Sequence, residues 1–159
     1  MERLAARTGK RLKASRAMLV TAESCTGGWV AQAVTAIAGS SDWFERGFVT
    51  YSNDAKRELL GVRAATLARH GAVSEQTARE MASGALRRSQ GSLSVAVTGI
   101  AGPGGGTPAK PVGTVCFAWQ RKNGRRHSET WRFAGNRASV RRQSVIHALK
   151  GVLKLLDED

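Results

Sequence analysis

Acidic residues are scarce in this sequence, and so are the residue types that build most metal sites and disulfide frameworks. Asp and Glu total 12 against 25 Lys and Arg across 159 residues, a formal charge of +13 at pH 7. The two cysteines, Cys25 and Cys116, form neither a CxxC pair nor a disulfide framework. The three histidines stand far apart at His70, His127 and His147 and offer no metal-ligand spacing. No apolar run approaches the ~20 residues that cross a bilayer. The basic amino terminus (Arg3, Arg7, Lys10, Arg11, Lys13) lacks the apolar stretch of a secretory signal. These absences exclude a disulfide-stapled secreted module, a clustered metal site and a membrane span. They predict a cytoplasmic protein that needs neither metal nor cofactor.

What is present is an ordinary globular composition, with 42% hydrophobic and 23% charged residues. A chain of this length buries roughly two-thirds of its unfolded surface, enough for one self-sufficient core. Residues 1–159 therefore read as a single domain. The excess of basic residues attracts anions of any kind, from phosphorylated metabolites to nucleic acid. It is spread along the chain, densest at 3–16, 121–126 and 137–142. No zinc finger, basic zipper or stacking-aromatic signature accompanies it, so any nucleic-acid binding is expected to be non-specific.

Helical and strand patterns interleave. Leu4 to Leu12 suggests a short amino-terminal helix, and Ala17–Thr21 a buried strand. That strand runs into the polar loop Glu23–Gly28 and then into Trp29, Val30, Ala33, Val34 and Ile37 at helical spacing. Phe44–Tyr51 reads as a second strand, and a short helix through Leu60 follows, capped by Ser52 or Asn53 and closed by Gly61. Another helical turn or two at Ala64–Arg69 precedes a longer helix from Ser74 to about Ser89. Leu93–Thr98 is a third strand, leading into a glycine-rich stretch to Gly106. Gly113–Trp119 and His127–Phe133 form a hairpin around Asn123-Gly124, before a final helix capped by Asn136. The fold class is α/β: a single-domain three-layer α/β/α sandwich with a mixed sheet and a carboxyl-terminal hairpin.

Two glycine-rich loops, 23–28 and 98–106, each follow a strand. With those strands parallel, both emerge at the sheet edge where ligands bind. Ser24, Thr26 and Thr98 hydroxyls, with the backbone at Gly27, Gly28, Gly99 and Gly102, suit phosphate or carboxylate oxygens. Neither loop is a P-loop or a dinucleotide fingerprint. A serine nucleophile needs a base, and no histidine is credibly placed for one. A neutral lysine can serve instead, provided its pKa falls by several units. Lys56, in the first turn of a short helix, opposes the helix dipole and qualifies. Ser40-Ser41 and Tyr51 stand nearby in sequence. Cys25 is the rival nucleophile, in a loop before a helix amino terminus that lowers a thiol pKa. With no histidine partner placed for it, it reads as a loop-packing or substrate-contacting residue.

The segments AESCTGGWVAQAVT (22–35), GSSDWFERGFVTYSNDAK (39–56), GAVSE (71–75), VTGIAGPGGG (97–106) and KPVGTV (110–115) together resemble the CinA carboxyl-terminal domain family. The resemblance spans most of residues 18–145, without the additional amino-terminal domain of full-length members. It implies deamidation of nicotinamide mononucleotide (NMN) to nicotinic acid mononucleotide and ammonia, in pyridine nucleotide recycling. It assigns the catalytic serine to Ser41, with Tyr51 and Lys56 completing the set. It also implies a homo-oligomer, a dimer or higher. The alternatives are a competence-associated accessory protein and a nucleotide-binding regulatory module without catalysis.

Overall fold

A computed structural model of the chain describes residues 1–158. Five strands form one sheet in the order β2-β1-β3-β4-β5: β1 (Leu19–Glu23), β2 (Phe44–Val49), β3 (Leu93–Gly99), β4 (Thr114–Arg121) and β5 (Arg126–Arg132). β1 runs parallel to both β2 and β3, and the β4–β5 hairpin closes the sheet antiparallel, so the sheet is mixed.

Strand alternation sorts the side chains into two cores. Leu19, Leu93, Val95, Val97, Phe117 and Trp119 face one layer of helices: α1 (Glu2–Ala14), α2 (Trp29–Thr35) and α6 (Arg137–Asp157). Val20, Ala22, Ala96 and Ala118 face the other way, toward α5 (Glu75–Arg87) and Leu60 of α3 (Asn53–Leu60). A short helix, α4 (Ala64–His70), lies between α3 and α5 in the chain. The α5 side is built from small residues, which lets the helix lie close to the sheet. Gly84 of α5 is the extreme case: a methyl group there would stand 1.9 Å from the Leu60 carbonyl oxygen.

Helix ends follow sequence chemistry. The Ser52 hydroxyl accepts from Ala55 N–H at 3.0 Å, and Gly61 closes α3 in the left-handed region at φ 68°. Ser74 and Asn136 cap α5 and α6 in the same manner.

β1 differs from the expected Ala17–Thr21, starting and ending two residues later. Arg16, at φ 52°, turns the chain, and Ala17 N–H bonds back to the Leu12 carbonyl, so Ala17 belongs to the turn that ends α1. The shift makes Glu23 the last strand residue and Ser24 the first residue beyond it.

Candidate active site

The carboxyl ends of β1 and β3 open into a cleft of about 270 Å³. Ser24 and Cys25 from the loop after β1, Tyr51 and Lys56 from the region of α3, and Thr98, Gly99 and Gly102 from the second glycine loop line it, with Arg137 at the start of α6. Lys56 is 1% exposed, one of the largest fully buried side chains. Its Nζ lies 3.0 Å from Ser24 Oγ, 2.9 Å from the Thr50 carbonyl and 3.2 Å from the Tyr51 carbonyl. Burial lowers its pKa from the ordinary lysine range, against a smaller opposing effect of Cys25. Two of the three partners are carbonyls, which only accept. A neutral amine satisfies both with its two N–H bonds and keeps its lone pair for the Ser24 hydroxyl proton.

Ser24 is held from both sides. Its N–H bonds the Val97 carbonyl of β3 at 2.9 Å, while the preceding carbonyl, that of Glu23, accepts from Thr50 N–H at 2.8 Å. The Glu23 side chain, 1% exposed, turns back under the loop. Its Oε1 accepts from the Thr26 hydroxyl at 2.7 Å and Val30 N–H at 2.8 Å, and its Oε2 from Ala31 N–H at 3.0 Å. Arg141 of α6 donates to the Cys25 and Thr26 carbonyls at 3.0 and 3.2 Å and lies over the Trp29 ring.

The expected site residues separate into three groups. Lys56 and Tyr51 come together with Ser24, Thr98, Gly99 and Gly102 around the cleft. The Thr98 hydroxyl donates to the Ala72 carbonyl, and Gly99 has no room for a methyl group beside Val115. Thr26, Gly27 and Gly28 do not line the cleft. The Thr26 hydroxyl is buried against Glu23, and the first N–H groups of α2 are already taken by that carboxylate, so this loop offers no free anion cradle. Gly27 and Gly28 supply left-handed turn positions, at φ 59° and 97°.

Ser41 is the third case, and the structure places it apart from the other expected catalytic residues. It sits exposed in a 3-10 turn, Ser40–Asp42, before the amino-terminal end of β2. Lys56 follows the carboxyl-terminal end of the same strand. Six residues at about 3.3 Å each put roughly 20 Å between the two ends. Within the chain, Ser41 is not brought to Lys56. The fifteen-residue spacing concealed this, because β2 carries the backbone from one end of the sheet to the other.

Cys25 is buried in the loop and reaches the cleft wall. Burial outweighs its position before α2 and pushes the thiol up to about 12, so it stays protonated near neutral pH. Sequence reasoning also missed Arg137, whose guanidinium donates to the Tyr51 hydroxyl at 3.1 Å and the Gly102 carbonyl at 2.8 Å. Nothing local signals a partner 86 residues from Tyr51. Glu23 was legible only as part of the loop. Its sign was a carboxylate at a strand end just before a helix whose cap residue, Gly28, has no side chain.

A larger cavity, about 460 Å³, lies beside α5, but its charged groups are already engaged. Lys110 Nζ donates to the His70 carbonyl, and Glu75 accepts from the Ser128 and Thr130 hydroxyls. It holds no counterpart of the Ser24–Lys56 pair.

Comparison with known proteins places the chain among relatives of known name and fold. The protein named nicotinamide-nucleotide amidohydrolase PncC from Shigella flexneri is 56% identical over 149 residues, covering 92% of this chain and 89% of that one. The solved competence/damage inducible protein CihA from Agrobacterium tumefaciens superimposes with a TM-score of 0.94 at 50% identity, over 98% of this chain and 94% of the other. A CinA superfamily protein from Klebsiella pneumoniae superimposes with a TM-score of 0.95 at 40% identity, over 99% and 98%. The profile described as "CinA C-terminal domain" matches residues 1–156, and the chain belongs to that family.

Proposed function

We propose that this protein hydrolyses the carboxamide of nicotinamide mononucleotide, with Ser24 as nucleophile and Lys56 as its base. The observation that carries this reading is the 3.0 Å approach of Lys56 Nζ to Ser24 Oγ in a desolvated position. The name carried by relatives 50–56% identical supplies the substrate.

Neutral Lys56 takes the Ser24 proton as Oγ attacks the amide carbon. The oxyanion that forms needs N–H donors, each worth about 3 kcal/mol where measured. The Lys56 ammonium then returns the proton to the leaving nitrogen, the C–N bond breaks, and ammonia departs from the acyl-serine. Water, deprotonated by Lys56, attacks the ester and releases the carboxylate product with Ser24 restored. The positive pyridinium ring of the substrate favours both attack on the amide and the neutral form of Lys56.

Tyr51 contributes through two atoms. Its carbonyl orients Lys56, and its hydroxyl, held by Arg137, forms one wall of the cleft. Arg137 is the cation that suits the substrate phosphate. The product feeds pyridine nucleotide recycling, and the chain acts as a homo-oligomer in the cytoplasm.

The experiment is ammonia release from nicotinamide mononucleotide by wild type, Ser24→Ala and Ser41→Ala. Loss of at least about 10³-fold in Ser24→Ala, with Ser41→Ala retaining turnover, is the expected result. Loss confined to Ser41→Ala would return the nucleophile to the 3-10 turn.

A further inference from the structure

Among the described residues, Glu23 and Lys56 are the only charged side chains in the fully buried set, and they flank Ser24. They do not pair. Lys56 Nζ faces Ser24 and two carbonyls, while the Glu23 carboxylate turns under the loop to the first turn of α2. Direct pairing of two buried charges would hold the lysine in its ammonium form and remove the base. The carboxylate is instead satisfied by three donors, Val30 N–H, Ala31 N–H and the Thr26 hydroxyl.

From this juxtaposition we infer that Glu23 is a positioning residue for the nucleophile, acting through the loop that carries Ser24. Its backbone carbonyl is fastened to Thr50 N–H, beside the carbonyls that orient Lys56. Its side chain fastens the other end of the loop to α2. Ser24 lies between these two anchors, so its Oγ keeps its direction toward Lys56 Nζ. The N–H groups at the start of α2 thereby serve the enzyme's own carboxylate, and no substrate anion binds there.

This inference rests on the Ser24–Lys56 reading, and the test separates the two. Ammonia release is measured across nicotinamide mononucleotide concentrations for wild type, Ser24→Ala, Glu23→Gln, Thr26→Val and Thr26→Ser, with thermal unfolding of each. Glutamine keeps the shape but turns an NH2 group toward a backbone N–H, so the loop shifts without an emptied core. A misplacement near 1 Å costs up to about 100-fold, so Glu23→Gln is expected to lower kcat about 10- to 100-fold with KM within about 3-fold. Thr26→Val should lower kcat in the same direction, and Thr26→Ser should restore it.

A folded Glu23→Gln with kcat within about 2-fold of wild type, or with KM alone raised, overturns the positioning role while leaving an inactive Ser24→Ala untouched. An active Ser24→Ala overturns the nucleophile assignment and the inference together. Should Glu23→Gln fail to fold, the threonine pair decides. Equal kcat in Thr26→Val and Thr26→Ser overturns the inference, and loss in the first with recovery in the second supports it.

Discussion

Lys56 carries two demands that a lysine ordinarily cannot meet together: it is buried, and as the proposed base it must be neutral to act. The same desolvation provides both, since removing water disfavours the ammonium and lowers the pKa from 10.5. The sign for activity follows. Protonated Lys56 cannot accept the Ser24 proton, so kcat should rise with pH along a limb whose midpoint lies below 10.5 and then level off. A midpoint at or above the ordinary lysine value would remove Lys56 as the base. The sign for stability is related. Between the lowered folded pKa and the unfolded value, the unfolded chain binds more protons, so stability should rise with pH in that window. Lys56→Met, of similar volume and without a charge to desolvate, should abolish that dependence and reduce turnover by at least about 10³-fold, while still folding cooperatively. Chemical denaturation at several pH values, run beside the activity profile, checks both. Cys25 shows the opposite consequence of the same burial: desolvation that activates an amine silences a thiol.

At the scale of elements, local chemistry was legible where it is local. Ser52, Ser74, Asn136 and Gly61 delimit their helices as read from sequence, because a cap needs only a hydroxyl, an amide or a left-handed residue at the right offset. The parallel pairing of β1 with β3, which brings both glycine loops to one edge, followed from strand-loop-helix order. What stayed hidden depends on where strands end in space. Ser41 and Ser24 lie at opposite ends of the sheet, and nearness to Lys56 in sequence does not tell which of them Lys56 meets within the chain. Arg137 reaches Tyr51 only because α6 packs back across the sheet. Close packing of α5 on α3 was equally invisible, and it yields a test. Alanine in a helix ordinarily gains about 1 kcal/mol over glycine. At Gly84 the added methyl would meet the Leu60 carbonyl, a backbone atom that cannot swing aside. Gly84→Ala should therefore destabilise by about 1–3 kcal/mol, lowering Tm by roughly 3–10 °C. Since α3 carries Lys56, turnover should fall with it. An unchanged or higher Tm would show that the α3–α5 contact yields freely.

For the whole molecule, the outlying property is charge, and the fold puts nearly all of it outside. The 25 basic residues exceed the 12 acidic ones by 13, and exposed ion pairs such as Lys13–Asp42 and Arg57–Asp54 are each worth little in water. The surplus gathers on no single groove. Lys122, Arg125 and Arg126 stand exposed at the β4–β5 hairpin, while Arg142, Lys150 and Lys154 are exposed along α6. The cleft itself holds two basic side chains, Lys56 buried against Ser24 and Arg137 engaged with Tyr51. A surface of this kind attracts polyanions by counterion release and has no means of reading base sequence. The expected behaviour in a fluorescence-anisotropy titration is weak binding of unrelated duplexes with equal affinity at about 50 mM salt, gone by about 200 mM. Because the charges responsible lie outside the cleft, deamidation measured at the higher salt should be indifferent to added DNA. Sequence-selective binding that survives there, or DNA inhibition competitive with the mononucleotide, would tie the surface charge to the active cleft. It would then favour the nucleic-acid role over an enzyme whose positive surface merely draws in anionic substrates.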